Sequence, residues 1–309
     1  MAGWSSSIIP ETHVMPSNTE YFKVTGKSSL AEFLERVFPQ SSRSSLKKMV
    51  INGSIRINDQ TIRNPASTVN SGDSVSYRRQ VILRGETLPF PLIYEDGFIL
   101  VIDKPAGVLT YGEKGSDGTS VYKQLKDYLS KSTKSRADLF VVHRLDREVS
   151  GLLIFAKSTE IQEKLKEGWA ESIKKYFAFV EGIPERNEGT IRSWLSDSPH
   201  YKVISGSKRE GAKYAVTNYK VLQVKDKNAL LEIHLETGRK NQIRVHLSEL
   251  GHPVIGDRKY GADATFERRI RLHACYLSVM HPETNIRLEF NSGLPKGFLT
   301  LRPQKELYK

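Results

Sequence analysis

Between residues 28 and 38 the apolar side chains Leu30, Phe33, Leu34 and Val37 fall at i, i+3, i+4 and i+7, which predicts an amphipathic helix over SSLAEFLERVF, closed by Pro39. A shorter helix follows in SRSSLKKMV, with Ser42 or Ser44 as its cap. It places Arg43, Lys47 and Lys48 within one and a half turns of one another. The period then drops to two over GSIRI (53–57), with Asn58-Asp59 offering a turn before Ile62. Ser71-Gly72-Asp73 is a second turn, ahead of alternating Val75 and Tyr77. QVILRGETLPFP, with its prolines and glycine, reads as a linker. From about Tyr94 onward the apolar runs lengthen, as in FILVIDKPAG.

In VVHRLDREVSGLLIFAKS (141–158), Val141-Val142 and Leu152–Ala156 predict two strands, joined by a loop holding Asp146 and Ser150-Gly151. Thr159 and Gln162 suggest a capping box for a helix with an Ile161, Leu165, Trp169 stripe, ending near Ser172. In KKYFAFVEG, alternation puts Tyr176, Ala178 and Val180 on one face of a strand. Leu231, Ile233 and Leu235 share a face of another strand. Thr237-Gly238 then turns into a helix whose inner stripe is Ile243, Leu247 and Leu250.

The 309 residues suggest two domains at about 150 residues each. A formal charge of +12 suits a nucleic acid or an anionic membrane surface, yet charge alone leaves a plain basic enzyme equally open. Part of that excess is local: residues 41–80 carry seven basic side chains (Arg43, Lys47, Lys48, Arg56, Arg63, Arg78, Arg79) against Asp59 and Asp73. The single cysteine, Cys275, excludes an internal disulfide framework and a Cys-rich metal site, and fits a reducing compartment. No apolar run approaches the ~18–20 residues that span a bilayer. The first residues lack the pattern of a signal or transit peptide, so residues 1–18 are expected to be a flexible tail and the protein cytoplasmic.

Asp146 is the most pointed chemical feature. Arg144 and Arg147 beside it favour an ionised carboxylate, which can act as a nucleophile or general base, or simply form a structural ion pair. HRLD is not a kinase catalytic loop, because Leu145 breaks the spacing and neither a Gly-rich loop nor DFG accompanies it. Tyr176 is either core or a ring for stacking on a base with a hydroxyl for proton transfer. Arg239, Lys240 and Arg244 gather at a turn and helix start, where free N–H groups also attract anions. The histidines are scattered singly, without metal-ligand spacing.

LAEFLERV, SRSSLKKMVINGSIRIN and SGDSV resemble the alpha-L (S-four type) RNA-binding domain. EDGFILVIDKPAGVL, HRLDREVSGLLIFAKS, KKYFAFVEG, AVTNYKVL, LETGRKNQIRVHLSELGHPVIGDRKYG and RLHACYLSVMHPET resemble, in order, the motifs of RluA-type pseudouridine synthases. The second resemblance runs from about residue 91 to 294. It implies an α+β protein: an RNA-binding domain over 19–80, a linker over 81–90, and a catalytic domain over 91–309 on a mixed, mainly antiparallel sheet. It also implies an isomerase converting uridine to pseudouridine in structured RNA, most often large-subunit ribosomal RNA. No cofactor, metal or membrane is expected, and the protein is expected to be a monomer.

By the same resemblance Asp146 is the catalytic aspartate, Tyr176 packs on the target base and shuttles its proton, and Arg244 pairs with the aspartate. Arg43, Lys47, Lys48, Arg56, Arg144, Arg239 and Lys240 are the expected RNA contacts. Two departures stand out: Lys240-Asn241 where relatives often read Thr-His, and Glu148-Val149 where Asp-Thr is usual. A transfer-RNA substrate, or a non-catalytic RNA-binding or ribosome-assembly role, are the competing expectations.

Overall fold

The computed structural model describes residues 19–39, 41–51, 54–78, 88, 90–112, 120–133, 138–198, 202–263 and 269–301, excluding the side chains of 19, 20, 48, 78 and 131–133. The expected tail, most of the linker and the Asn52-Gly53 turn lie outside the described residues. The chain divides into two compact units, residues 1–80 and 81–309.

In the smaller unit the order is β1 (Thr19–Lys23), β2 (Ser28–Ser29), α1 (Leu30–Val37), α2 (Arg43–Ile51), β3 (Ile55–Ile57), β4 (Gln60–Thr61), β5 (Thr68–Val69) and β6 (Ser74–Arg78). Ser29 and Glu32 form a reciprocal capping box on α1, and the helix buries Leu30, Phe33 and Leu34. Of the two candidate caps for α2, Ser42 is the one used: its Oγ accepts from Ser45 N at 3.2 Å. Asn58 and Asp59 both take positive φ (48° and 63°), which fits the two-residue turn joining β3 to β4. The sheet order is β1-β6-β3-β4, and Ile55, Val75 and Tyr77 point into the core.

The larger unit continues with β7 (Leu92–Glu95), β8 (Ile99–Lys104), α3 (Val121–Thr133), β9 (Phe140–Val141), β10 (Ser150–Ala156), α4 (Thr159–Glu167), β11 (Ile173–Glu181) and β12 (Glu188–Asp197). It closes with β13 (Val203–Gly206), β14 (Lys213–Lys225), β15 (Asn228–Leu235), α5 (Gln242–Glu249), β16 (Leu272–Met280) and β17 (Arg287–Asn291). These strands form one eleven-stranded sheet in the order β13-β12-β14-β15-β11-β16-β10-β8-β7, with β17 on β16 and β9 on β10. β10 pairs with β16 in parallel; its other neighbours, and the remaining pairs of the sheet, are antiparallel. The chain is thus α+β on a mixed, mainly antiparallel sheet. Tyr176, Ala178, Val180, Leu231, Ile233 and Leu235 all meet the main core beneath α3 and α5.

Four local expectations change. Ser150 and Gly151 belong to β10, not to the loop before it. Gly151 sits at φ +120°, and an added Cβ would lie 2.3 Å from Ala274 O, so the parallel contact admits no side chain there. Ser158, not Thr159, caps α4, accepting from Ile161 N at 3.2 Å, while Gln162 instead donates to Val141 O at 2.6 Å. Trp169 of the apolar stripe falls in a 3-10 turn (Gly168–Glu171) that finishes the helix before Ser172. Leu250 is 37% exposed, because α5 stops one residue before it.

Three histidines, His246 and His273 buried and His143 half-buried, tie the larger unit together. His246 bonds Thr217 Oγ1 and Ser193 Oγ, each at 2.9 Å, fastening α5 to β14 and β12. His273 lies between Ser150 and Ser292, and His143 Nε2 accepts from Ile154 N. Burial pushes His246 and His273 down to about 4 and His143 to about 3. The folded state therefore refuses protons that the unfolded chain takes up below about 6.5. Their stabilisation is complete above that pH and drains away as pH falls toward 4. Asp103, pushed up to about 6 by burial, works in the opposite sense below that value and offsets only one of the three. Thermal unfolding followed from pH 7 to 4 should show a falling midpoint, steepest below pH 6.5; a flat profile would contradict the buried, neutral assignment.

Candidate active site

Asp146 lies in the loop between β9 and β10, which is held from both sides. Thr110 Oγ1 donates to Leu145 O at 2.8 Å and accepts from Leu145 N at 3.2 Å, although Thr110 is itself buried. Lys104, at the end of β8 and wholly buried, donates to Pro105 O, Val108 O and Arg147 O at 2.8–3.1 Å. Three carbonyls match the three N–H bonds of an ammonium. Burial pushes Lys104 down to about 8, opposed by the charges of Glu148, Asp146 and Asp103. Gly107 N donates to Arg147 O at 2.8 Å, and Arg147 Nε returns to Gly107 O at 3.0 Å. The backbone carrying Asp146 is thereby fixed, with no demand on the carboxylate.

Arg244 reaches that carboxylate from α5, with Nη1 2.9 Å from Asp146 Oδ2. Its guanidinium is fixed elsewhere as well: Nε and Nη2 bind the two oxygens of Asp257 at 2.6 and 2.9 Å, a bidentate fork. Nη1 also donates to Asn241 Oδ1 at 3.2 Å, and the guanidinium carbon lies 5.1 Å from the Tyr260 ring centroid. Burial would lower the Arg244 pKa, but the Asp257 and Asp146 carboxylates outweigh it and raise the pKa further. The arginine is thus a fixed cation. Its exposure is 9%, and that of Asp257 1%, whereas the Asp146 side chain is 35% exposed. One carboxylate anchors the arginine; the other keeps a face toward solvent.

Tyr176, half-buried on β11, packs against the main core. Burial raises its pKa, and the nearby Asp146 and Cys275 raise it more, so it keeps its proton at neutral pH. Asp146 and Arg244, from distant stretches of sequence, thus form an ion pair, and Tyr176 lies near enough to feel the Asp146 charge. Arg144 and Arg147 do not serve Asp146 as their adjacency suggested. Arg144 is exposed, and Arg147 turns to Gly107 O and, at 3.9 Å, Glu148. Sequence neighbours in an irregular loop point outward, and the partner comes from across the sheet.

The other expected contacts divide. Arg239 and Lys240 are exposed at the start of α5; Arg239 Nε donates to Tyr214 O, and Lys240 pairs with exposed Asp197 at 2.8 Å. In the smaller unit Lys47 is exposed, Arg56 half-buried, and Arg43 bound to Glu35 at 2.8 Å. The Lys48 side chain lies outside what is described. Asp257, Tyr260 and Lys104 were not singled out from the sequence, although GDRKYG and DKPAG contain them, and Asn241 stood out only as a departure from the family pattern. Asn241 also absorbs one departure from the family pattern. It takes φ +55°, tolerated by asparagine, while its amide donates to Tyr260 Oη at 2.9 Å and accepts from Arg244. Val149, the other departure, is buried in the main core.

Among the described residues no group of three or more His, Cys, Asp or Glu side chains is placed to hold a metal ion, and no helix is long and apolar enough to cross a membrane.

The sequence model of the RNA pseudouridylate synthase family matches residues 98–249, and that of the S4 domain residues 29–75. An RNA pseudouridine synthase of Aquifex aeolicus is 34% identical over 253 residues, covering 78% of this chain and 79% of its own. The ribosomal large subunit pseudouridine synthase D of Pseudomonas aeruginosa is 33% identical over 303 residues, covering 89% and 91%. Among solved structures, human RNA pseudouridylate synthase domain containing 4 superposes with a TM-score of 0.58 at 25% identity, covering 68% of this chain and 90% of that one.

Proposed function

The chain belongs to the RNA pseudouridylate synthase family and carries an S4 domain, and on that premise we propose that it isomerises specific uridines of large-subunit ribosomal RNA through Asp146. The observation that carries this reading is a part-exposed carboxylate gripped at 2.9 Å by a buried, immobile arginine. The substrate class is that named for the Pseudomonas relative. We assign RNA binding to residues 19–80 and catalysis to 91–309, acting as a cytoplasmic monomer.

The reaction breaks a C–N glycosidic bond, turns the uracil over and rejoins it through carbon five, with no change of oxidation state. A stacked base exposes neither reacting atom, so the nucleotide must be extruded, at a cost of a few kcal/mol. Stacking on the Tyr176 ring offsets ~1–3 kcal/mol of this. Asp146 promotes cleavage, by attack on the sugar or base or by deprotonating the sugar. Arg244 keeps it aimed, through the 2.9 Å contact of Nη1 with Oδ2. Tyr176 enters as the neutral phenol, so a proton received from carbon five is matched by its own proton passing on to Asp146 nearby. Asp146 then gives that proton up and the uracil N1 freed by cleavage takes one up, which balances the isomerisation and restores the carboxylate. Arg144, Arg239 and Lys240 hold flanking phosphates, and Arg43, Lys47, Lys48 and Arg56 give the smaller unit its own RNA contacts.

Replacing Tyr176 with Phe should keep the ring and remove the relay. Turnover is expected to fall about 10²-fold or more while RNA affinity stays within about twofold. A collapse of binding with turnover per bound complex unchanged would show that the hydroxyl serves RNA binding and that the acid–base role is wrong. The whole reading is tested by mapping pseudouridine in total RNA with and without the gene. Sites lost from large-subunit RNA support it, and sites lost only from transfer RNA redirect the substrate. No lost site, with no turnover by the purified chain, leaves a binding or assembly role.

A further inference from the structure

The sheet has a second face, turned away from α5. On β12, Ser193, Leu195 and Asp197 face that helix: Ser193 bonds His246, Leu195 packs with Val245, and Asp197 pairs with Lys240. Alternation sends Arg192, Trp194 and Ser196 to the opposite side. There Trp194 stands beside its cross-strand partner Tyr214 on β14, with ring centroids 5.3 Å apart and planes tilted by 52°. Tyr214 is 41% exposed and Trp194 half-buried, so both rings reach the surface of this face.

Cations surround the pair. Lys208 Nζ lies 5.5 Å from the Trp194 centroid, Arg209 Nε donates to Ser196 Oγ at 3.1 Å, and Arg239 Nε holds the Tyr214 carbonyl. Arg192, Lys208, Arg209 and Arg239 are all exposed. Farther along the same face, Glu188, Asn218, Lys220, Glu232 and His234 line an open groove of about 440 Å³ with mixed charge. At the β13 end of this face, by contrast, positive charge coincides with the Trp194 and Tyr214 rings.

We propose that Trp194 and Tyr214 form a stacking platform for unpaired nucleotides of the substrate RNA, on the side of the sheet opposite Asp146, with the four cations holding their phosphates. Unpaired RNA is the occupant because two adjacent rings within a basic rim offer a π-face and a phosphate clamp together, as single-strand binding requires. A duplex keeps its bases stacked on one another and could use only the charges. The Arg239 side chain, at the start of α5 and bonded to the Tyr214 carbonyl, joins this surface to the catalytic side, so one RNA strand can pass around the sheet edge at β13.

The proposal rests on the chain acting on RNA, and its test separates the two. The probes are a 12-nucleotide oligouridylate and a 12-base-pair RNA duplex, offered to the full chain. Trp194→Ala and Tyr214→Ala should each weaken oligouridylate binding about 5- to 150-fold, the range that loss of one base stack gives, with duplex binding changed less than twofold. Trp194→Phe, which keeps a ring, should restore most of the affinity and shows that the alanine effect is not misfolding. On large-subunit RNA from cells lacking the gene, the alanine variants should raise KM and leave kcat unchanged. Equal binding of wild type and both alanine variants to oligouridylate, or equal losses on duplex and oligouridylate, would overturn the platform. Wild-type chain that binds oligouridylate through these rings but makes no pseudouridine would overturn the catalytic reading and leave the platform standing.

Discussion

Asp146→Ala should abolish pseudouridine formation, by at least about 10³-fold, while RNA affinity stays within about twofold of wild type. The size of the effect follows from the division of labour around Arg244. Asp257, 1% exposed and bidentate, already neutralises and orients the guanidinium, so the fold does not need Asp146 as a counter-ion. The loop does not need its side chain either, since Thr110 and Lys104 fix the backbone through Leu145 and Arg147. Stability of the alanine variant should therefore move little, because a 35% exposed carboxylate contributes a solvent-screened ion pair. Lost turnover with an unchanged melting temperature separates a chemical role from a structural one. If turnover and folding instead decline together, the ion pair is structural.

Arg244→Met should have the largest effect on folding. It leaves the Asp257 carboxylate buried without its cation, and breaking one side of such a pair costs about 3–5 kcal/mol. Turnover should disappear as well, because Asp146 loses the donor at 2.9 Å. The double variant Arg244→Met, Asp257→Leu removes both buried charges, and apolar replacement of a whole buried pair is commonly neutral. Denaturant unfolding should thus show most of the stability recovered in the double variant. Activity should not return in either. Recovery of turnover along with stability would mean that Arg244 serves only the fold.

What was legible in the sequence is what depends on neighbours along the chain. The period of Leu30, Phe33, Leu34 and Val37 gave α1 because each helical turn repeats the same short-range rule. The alternation of Leu231, Ile233 and Leu235 gave a buried strand face for the same reason. Leu250 continued the inner stripe on paper, yet α5 ends before it and Gly251 follows at φ +87°. Ser150-Gly151 has the composition of a turn, and only the distant strand β16, pressed against Gly151, explains a glycine inside β10. The site divides along the same line. Asp146, Tyr176 and Arg244 came from motif order, whereas the choice of Arg244 over Arg144 and Arg147 spans 98 residues and is settled by packing. Asp257 and the carbonyl cage of Lys104 were invisible, because a buried charge is recognised by what surrounds it in space. Trp194 and Tyr214 are twenty residues apart and became a pair only through the β12–β14 register.

The most direct test of the account is single-turnover release of tritium from carbon five of uridine by Asp146→Asn. The amide keeps the shape of the side chain, and its oxygen can still accept from Arg244 Nη1, so only the negative charge is withdrawn. With the variant saturated by RNA tritiated at that carbon, the account predicts no release above background over many wild-type half-lives. Release at the wild-type rate would show that the reaction does not run through this carboxylate.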